Sequence, residues 1–217
     1  EKMIQIDDSG SGSLVGGTCI GAMRTETEDF ACDFIPIAYY SSELFLSKEY
    51  LVKSGQIVFS LLKKLRLQPG ERVEICQGYM FDQARKKMKE KRIAFQSVKI
   101  GDPLQSVIEE TFQDYALNLG VPPQYVKYTK YPLHFHRILR WVYADYDNRA
   151  ALCKTGWKSW KKYGNLNIDI KDDILYRNNY VCLKCGKGIQ KGSKVRRLEY
   201  YSNCKNTIYL HRHCKNK

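Results

Sequence analysis

The stretch Met3-Ile4-Gln5-Ile6-Asp7-Asp8-Ser9-Gly10-Ser11-Gly12 decides how the chain is read. An apolar run climbs to two adjacent carboxylates and breaks at once into small residues. This is how a buried strand delivers acidic groups to the rim of a sheet. Ile4 and Ile6 fall on one face and Gln5 on the other. Gly10 and Gly12 let the backbone turn sharply after the acids and leave room for a large charged partner. Paired carboxylates at a strand end suit two uses, holding a hard divalent cation such as magnesium or exchanging protons. The same residue types also make ordinary turns, so Asp7 and Asp8 as turn formers remain open at this point.

Outward from this stretch, Leu14 to Arg24 and Phe30 to Tyr40 read as second and third strands joined by hairpins. Ser47 is placed to cap a helix running to about Leu67, which Pro69-Gly70 stops. Arg72 to Cys76 is a short strand, Phe81 to about Lys91 a strongly basic helix, and Phe95 to Ile100 another strand. Gly101-Asp102-Pro103 opens a last helix whose stripe is Leu104, Val107, Ile108, Phe112, Tyr115 and Leu119. Three hairpin-joined strands followed by crossover helices predict an α/β fold with a mixed five-stranded sheet and flanking helices over residues 1–120.

That order of elements is the topology of the ribonuclease H-like superfamily. Ile6-Asp7-Asp8-Ser9-Gly10-Ser11-Gly12-Ser13-Leu14-Val15-Gly16 resembles the type 2 ribonuclease H pattern, in which Ile-Asp-Glu-Ala-Gly-Arg-Gly leads into a Leu and another Gly. The resemblance implies that Asp7 and Asp8 match the family's acidic pair. It implies further that Glu74 supplies an acid from the fourth strand, as in Holliday-junction resolvases of the superfamily. Asp102 would supply the last acid near the start of the final helix, with Glu109 as the alternative and Asp145 and Asp147 ranked below. Four converging carboxylates would hold two magnesium or manganese ions about 4 Å apart and hydrolyse a phosphodiester. Two residues depart from the pattern: Ser11 stands where the family has Arg, and Cys76-Gln77 stands where an acid would fit. A nucleic-acid-binding protein on an inactive scaffold is therefore the rival expectation.

Charge points the same way. Residues 1–120 hold 15 Lys and Arg against 17 Asp and Glu, whereas residues 121–217 hold 21 against 6. The basic half needs an anionic partner, and its cations are interleaved with Tyr and Trp that can stack on bases, so nucleic acid is the expected partner. No stretch is long and apolar enough to predict a membrane span, and no basic-then-apolar signal pattern opens the chain. A soluble protein is expected. From Leu133 to about Tyr163 a helical stretch within the linker 121–172 carries Ile138, Leu139, Trp141, Val142, Ala150, Ala151 and Leu152, placed to pack against the sheet. Trp157 and Trp160, among the five cations of 148–162, read either as a strip beside nucleic acid or as anchors.

The last segment, 173–217, carries Cys182-x2-Cys185 and His211-x2-Cys214 with 25 residues between the pairs. Three thiolates and an imidazole fill a tetrahedral zinc shell with no open position, which marks a structural site. His213 and Cys204 are the less well spaced substitutes. The remaining cysteines sit singly among apolar neighbours, which fits a reducing, cytoplasmic compartment. Cys182 to Gly192, Val195-Arg196-Arg197 and Tyr209 to Cys214 resemble the poly(ADP-ribose) polymerase-type zinc finger, and also fit the first half of a LIM module. The former implies DNA binding and the latter protein binding; the basic residues favour the former, and a protein adaptor is the weakest reading.

Overall fold

The computed structural model describes residues 2–126 and 131–214, with the backbone alone at 131–133. The chain forms two compact units, Glu1–Leu119 with Lys154–Trp157, and Gly120–Cys153 with Lys158–Lys217.

The first unit is built on β1 (Met3–Ser9), β2 (Thr18–Arg24), β3 (Phe30–Ile35), β4 (Arg72–Cys76) and β5 (Phe95–Val98), in the order β3-β2-β1-β4-β5. β1 lies in the middle, antiparallel to β2 and parallel to β4. Met3, Gln5 and Asp7 on one face of β1 are half-buried, while Ile4 and Ile6 on the other are fully buried. They join one core with Ile57, Val58 and Leu61 of α2 (Glu49–Lys64) and Met88 of α3 (Asp82–Glu90). α4 (Leu104–Asn118) packs on β1 and β2 and buries Leu104, Ile108 and Phe112. Gly10 is required twice over. Its φ of +83° is a conformation that L side chains rarely adopt, and a Cβ there would fall 2.0 Å from the Phe112 ring.

β4 matches its expected bounds, while other boundaries shift for identifiable reasons. β2 begins at Thr18 and β3 ends at Ile35, because Pro36 cannot continue a strand and leads into a single 3-10 turn, Ile37–Tyr40. Ser47 does not cap α2. It is the C-cap of the short α1 (Ser42–Leu46) and its hydroxyl donates back to the Leu44 carbonyl at 3.1 Å, while Lys48, with φ of 59°, precedes α2.

In the second unit the expected helical stretch is broken into α6 (Tyr131–Tyr143), α7 (Tyr146–Arg149) and α8 (Lys158–Tyr163), after the short α5 (Pro123–Val126). Asp145, extended in φ at −154°, separates α6 from α7. The unit's sheet is β6 (Asp169–Ile174), β9 (Lys194–Tyr201) and β10 (Lys205–His211), in the order β10-β9-β6; β7 (Tyr180–Val181) pairs with β8 (Gly188–Ile189). Contacts of two α6 residues hold that helix to this sheet. Tyr143 lies against Tyr200 with ring centroids 4.6 Å apart, and Arg140 donates to the Thr207 carbonyl at 2.9 Å. Trp160 stacks on Tyr146 and is half-buried; Trp157, also half-buried, belongs to the first unit.

Candidate functional site

Two constellations stand out, one in each unit. In the second, the Sγ atoms of Cys182, Cys185 and Cys214 and a ring nitrogen of His211 all lie within 4.8 Å of one another. They come from the knuckle between β7 and β8 and from the end of β10, so the chain returns over 25 residues to close the set. Cys204 and His213 are exposed and outside it. His211 Nε2 lies 3.1 Å from the Gly188 carbonyl. A carbonyl only accepts, so Nε2 carries the proton and the Nδ1 lone pair, 3.3 Å from Cys185 Sγ, is free to ligate. Burial pushes the Cys185 thiol up, but the Lys187 backbone N–H and the neighbouring Cys182, Cys214 and His211 outweigh it and hold the thiol at about 7. The donor set is a Cys3His cluster compatible with structural zinc.

Arg149 supports this cluster, and sequence reading gave it no role. Its guanidinium donates to the carbonyls of Leu183 at 2.8 Å and Lys184 at 2.9 Å, the two residues between the knuckle cysteines. It also stacks over Trp141 at 4.1 Å. Lys184 in turn pairs with Asp145 at 3.2 Å, which places Asp145 beside the knuckle.

In the first unit, Asp7 and Asp8 sit on the last residues of β1, opposite Gly21 and Ile20 of β2. Successive strand residues point to opposite faces. Asp7 therefore shares the face of Gln5 and meets the Cys76 thiol at the end of β4, and the charge of Glu109 on α4 reaches it. Burial raises its pKa first, with Glu109 adding to the rise, while the Cys76 thiol and the Asp8 backbone N–H, 2.9 Å away, act the other way. Asp8 turns to the face of Ile4 and Ile6, towards Ser11 and Lys154. Burial pushes its carboxyl up to about 6 and the Asp7 charge contributes, whereas the Ser11 hydroxyl and Lys154 restrain it.

The other two expected acids are placed differently. Glu74 lies opposite Gln5, one pleat below Asp7, and accepts from Gln5 Nε2 at 3.1 Å. Asp102 accepts from the backbone N–H of Ser106 at 3.2 Å, a local bond in the first turn of α4. Glu109, the alternative, is the α4 acid that Asp7 feels. Among the described residues, no group that includes these carboxylates matches the closeness of the Cys3His cluster.

Beneath the loop that follows the acids lies Lys154, fully buried. Its Nζ donates to the carbonyls of Gly10 and Ser13, each at 2.7 Å, between the rings of Tyr40 at 4.9 Å and Trp157 at 5.2 Å. None of the described helices is long and apolar enough to cross a membrane. No protein-family model matches the chain, and a search of curated proteins finds no match either.

Proposed function

We propose that the protein is a nucleic-acid-binding zinc protein whose ribonuclease H-like unit hydrolyses phosphodiester bonds with divalent metal at Asp7, Asp8 and Glu109. What supports this is the adjacent pair Asp7 and Asp8 at the end of the central strand, just before the glycine loop, with the charge of Glu109 on α4 reaching Asp7 and burial pushing the half-buried Asp8 carboxyl up to about 6. Oxygen donors of this kind suit magnesium or manganese, which would supply a metal-bound hydroxide and charge neutralisation. The chain's own part is to hold the carboxylates at the end of a rigid strand and to leave the glycine loop open to a phosphate backbone. The basic second unit supplies affinity that falls with salt.

A second reading, binding without cleavage, is favoured by Cys76. Its thiol stands beside Asp7 where a fourth carboxylate would complete the site, and burial and Asp7 push it up to about 11, so it stays neutral. One experiment separates the two. Labelled RNA/DNA hybrid, duplex DNA, single strands and a four-way junction are incubated with magnesium or manganese, beside Asp7→Asn and Glu109→Gln. Metal-dependent cutting that both variants lose, with binding retained, supports the nuclease. Binding without cutting on every substrate supports the inactive scaffold.

A further inference from the structure

The second unit carries a strong positive charge, and part of it is answered on one face. On the outer face of the three-stranded sheet, Lys171 pairs with Asp169, Arg197 with Asp173 at 2.6 Å and Lys205 with Glu199 at 3.0 Å. Arg212 pairs with Asp172 at 3.1 Å. That face is a neutralised ladder and offers a polyanion little.

The zinc knuckle differs. From residue 174 to 198 the sequence holds no Asp or Glu. The chain there runs out and back on itself. Leu175 N–H donates to Ser193 O at 3.0 Å, Gly192 N–H to Leu175 O at 2.8 Å, Lys191 N–H to the Asn179 side chain at 3.0 Å, and Cys182 N–H to Lys187 O at 2.9 Å. This zipper puts Tyr176 and Arg177 on one strand beside Lys191 on the other, with Lys187 nearer the metal cluster. All four are exposed, and Tyr176 is 67 % exposed. A large aromatic ring left in water among cations that have no acidic neighbour in the segment is a stacking platform flanked by phosphate contacts.

We infer that this end of the zinc knuckle binds single-stranded nucleic acid, with an unpaired base on Tyr176 and the backbone on Arg177, Lys187 and Lys191. A paired duplex offers no free base face to a projecting tyrosine, so the single strand is the preferred form. The inference rests on the nucleic-acid reading above and names its surface and substrate form.

The test is fluorescence anisotropy of the zinc-loaded full chain with a labelled 15-mer single strand and the matching blunt duplex, across a salt series. Tyr176→Ala is expected to weaken single-strand binding about 5- to 100-fold and to leave the duplex nearly unchanged. Removing Arg177, Lys187 and Lys191 together is expected to flatten the single-strand salt slope by about 2, at roughly 0.7 for each lost phosphate contact. Lys171→Ala with Lys205→Ala serves as the control and is expected to change neither. Zinc content and circular dichroism confirm that each variant is folded.

If Tyr176→Ala binds single strands as tightly as the parent, or the sheet control loses as much as the knuckle variant, the assignment of this surface is overturned while nucleic-acid binding stands. If anionic phosphatidylserine vesicles bind the chain through the same residues more tightly than the single strand does, a membrane replaces nucleic acid as the partner. If the parent chain binds no nucleic acid, both this inference and the reading beneath it fall.

Discussion

Lys154 Nζ donates to the Gly10 carbonyl at 2.7 Å across 144 residues of sequence. With the second bond to Ser13 O, one buried cation holds both ends of the loop that leaves Asp7 and Asp8. The surrounding backbone is tied in as well, since Lys154 N–H donates to Leu14 O and Gly156 N–H to Tyr40 O. Gly156 fits because a Cβ there would lie 2.4 Å from Phe45. Residues 154–157 therefore complete a unit that otherwise ends at Leu119.

Replacing Lys154 with Met keeps most of the side chain's volume and leaves two buried carbonyls without their donor. Each unmet group costs about 1–3 kcal/mol, so the first unit is expected to lose about 2–6 kcal/mol. Urea unfolding followed by far-ultraviolet circular dichroism measures it; an unchanged midpoint would mean that the loop holds itself. A chain ended at residue 120 lacks the same segment and is expected to lose cooperative unfolding.

Asp8 opposes the fold at neutral pH. Its folded pKa of about 6 lies above the ordinary 3.8, so the folded state binds the proton more tightly than the unfolded state does. Below about pH 4 both states are protonated and no penalty arises. The penalty grows from there to pH 6 and is full above it, at most about 3 kcal/mol. Asp8→Asn is therefore expected to raise stability at pH 7.5 and to leave it nearly unchanged at pH 3.5, read as unfolding midpoints at the two pH values. Equal stability at both would show that Ser11 and Lys154 already offset the burial. A carboxylate kept at such a cost fits a chemical role.

Cys76 offers the complementary change. Cys76→Asp adds a carboxylate beside Asp7, which the charge of Glu109 already reaches. Without metal the added like charge is expected to lower the melting temperature by several degrees. Saturating manganese is expected to restore it, because binding to the folded state alone stabilises that state. A melting temperature that manganese leaves unmoved in both the parent and the variant would count against a cation site at this strand end.

What could be read in advance follows from how far each signal travels along the chain. β4 was legible to the residue because Arg72-Val73-Glu74-Ile75-Cys76 alternates with the period of its burial. The Cys3His set was legible because each ligand pair is local and spaced by one turn. Ser47 does cap a helix, but the C-terminus of α1 and not the N-terminus of α2, a choice its residue type does not show. Asp102 resembled a helix-start acid and is one, bonded within its own turn, while the packing of α4 on β1 brings the charge of Glu109 to bear on Asp7, which no local pattern records. Lys154 was one cation among five in its stretch. Its partners lie about 140 residues away, so its burial was beyond any window of sequence.

Arg149 carries the last prediction. A zinc ion with three thiolates and a neutral imidazole bears one net negative charge. Arg149 is a half-buried cation that feels Cys182 and Cys214, and burial alone holds its own pKa down against their pull and that of Asp145. It also fixes the knuckle directly, by donating to Leu183 O and Lys184 O from one planar fork. Lysine retains the charge and loses the fork. Arg149→Lys is therefore expected to weaken zinc binding about 10-fold, and Arg149→Met, which loses both, nearer 100-fold, measured by competition with a chromogenic chelator at pH 7.5. If Met and Lys weaken zinc equally, the fork matters and the charge does not. If neither changes the affinity, the knuckle is set by its own ligands, and the contact with Arg149 only joins it to α7.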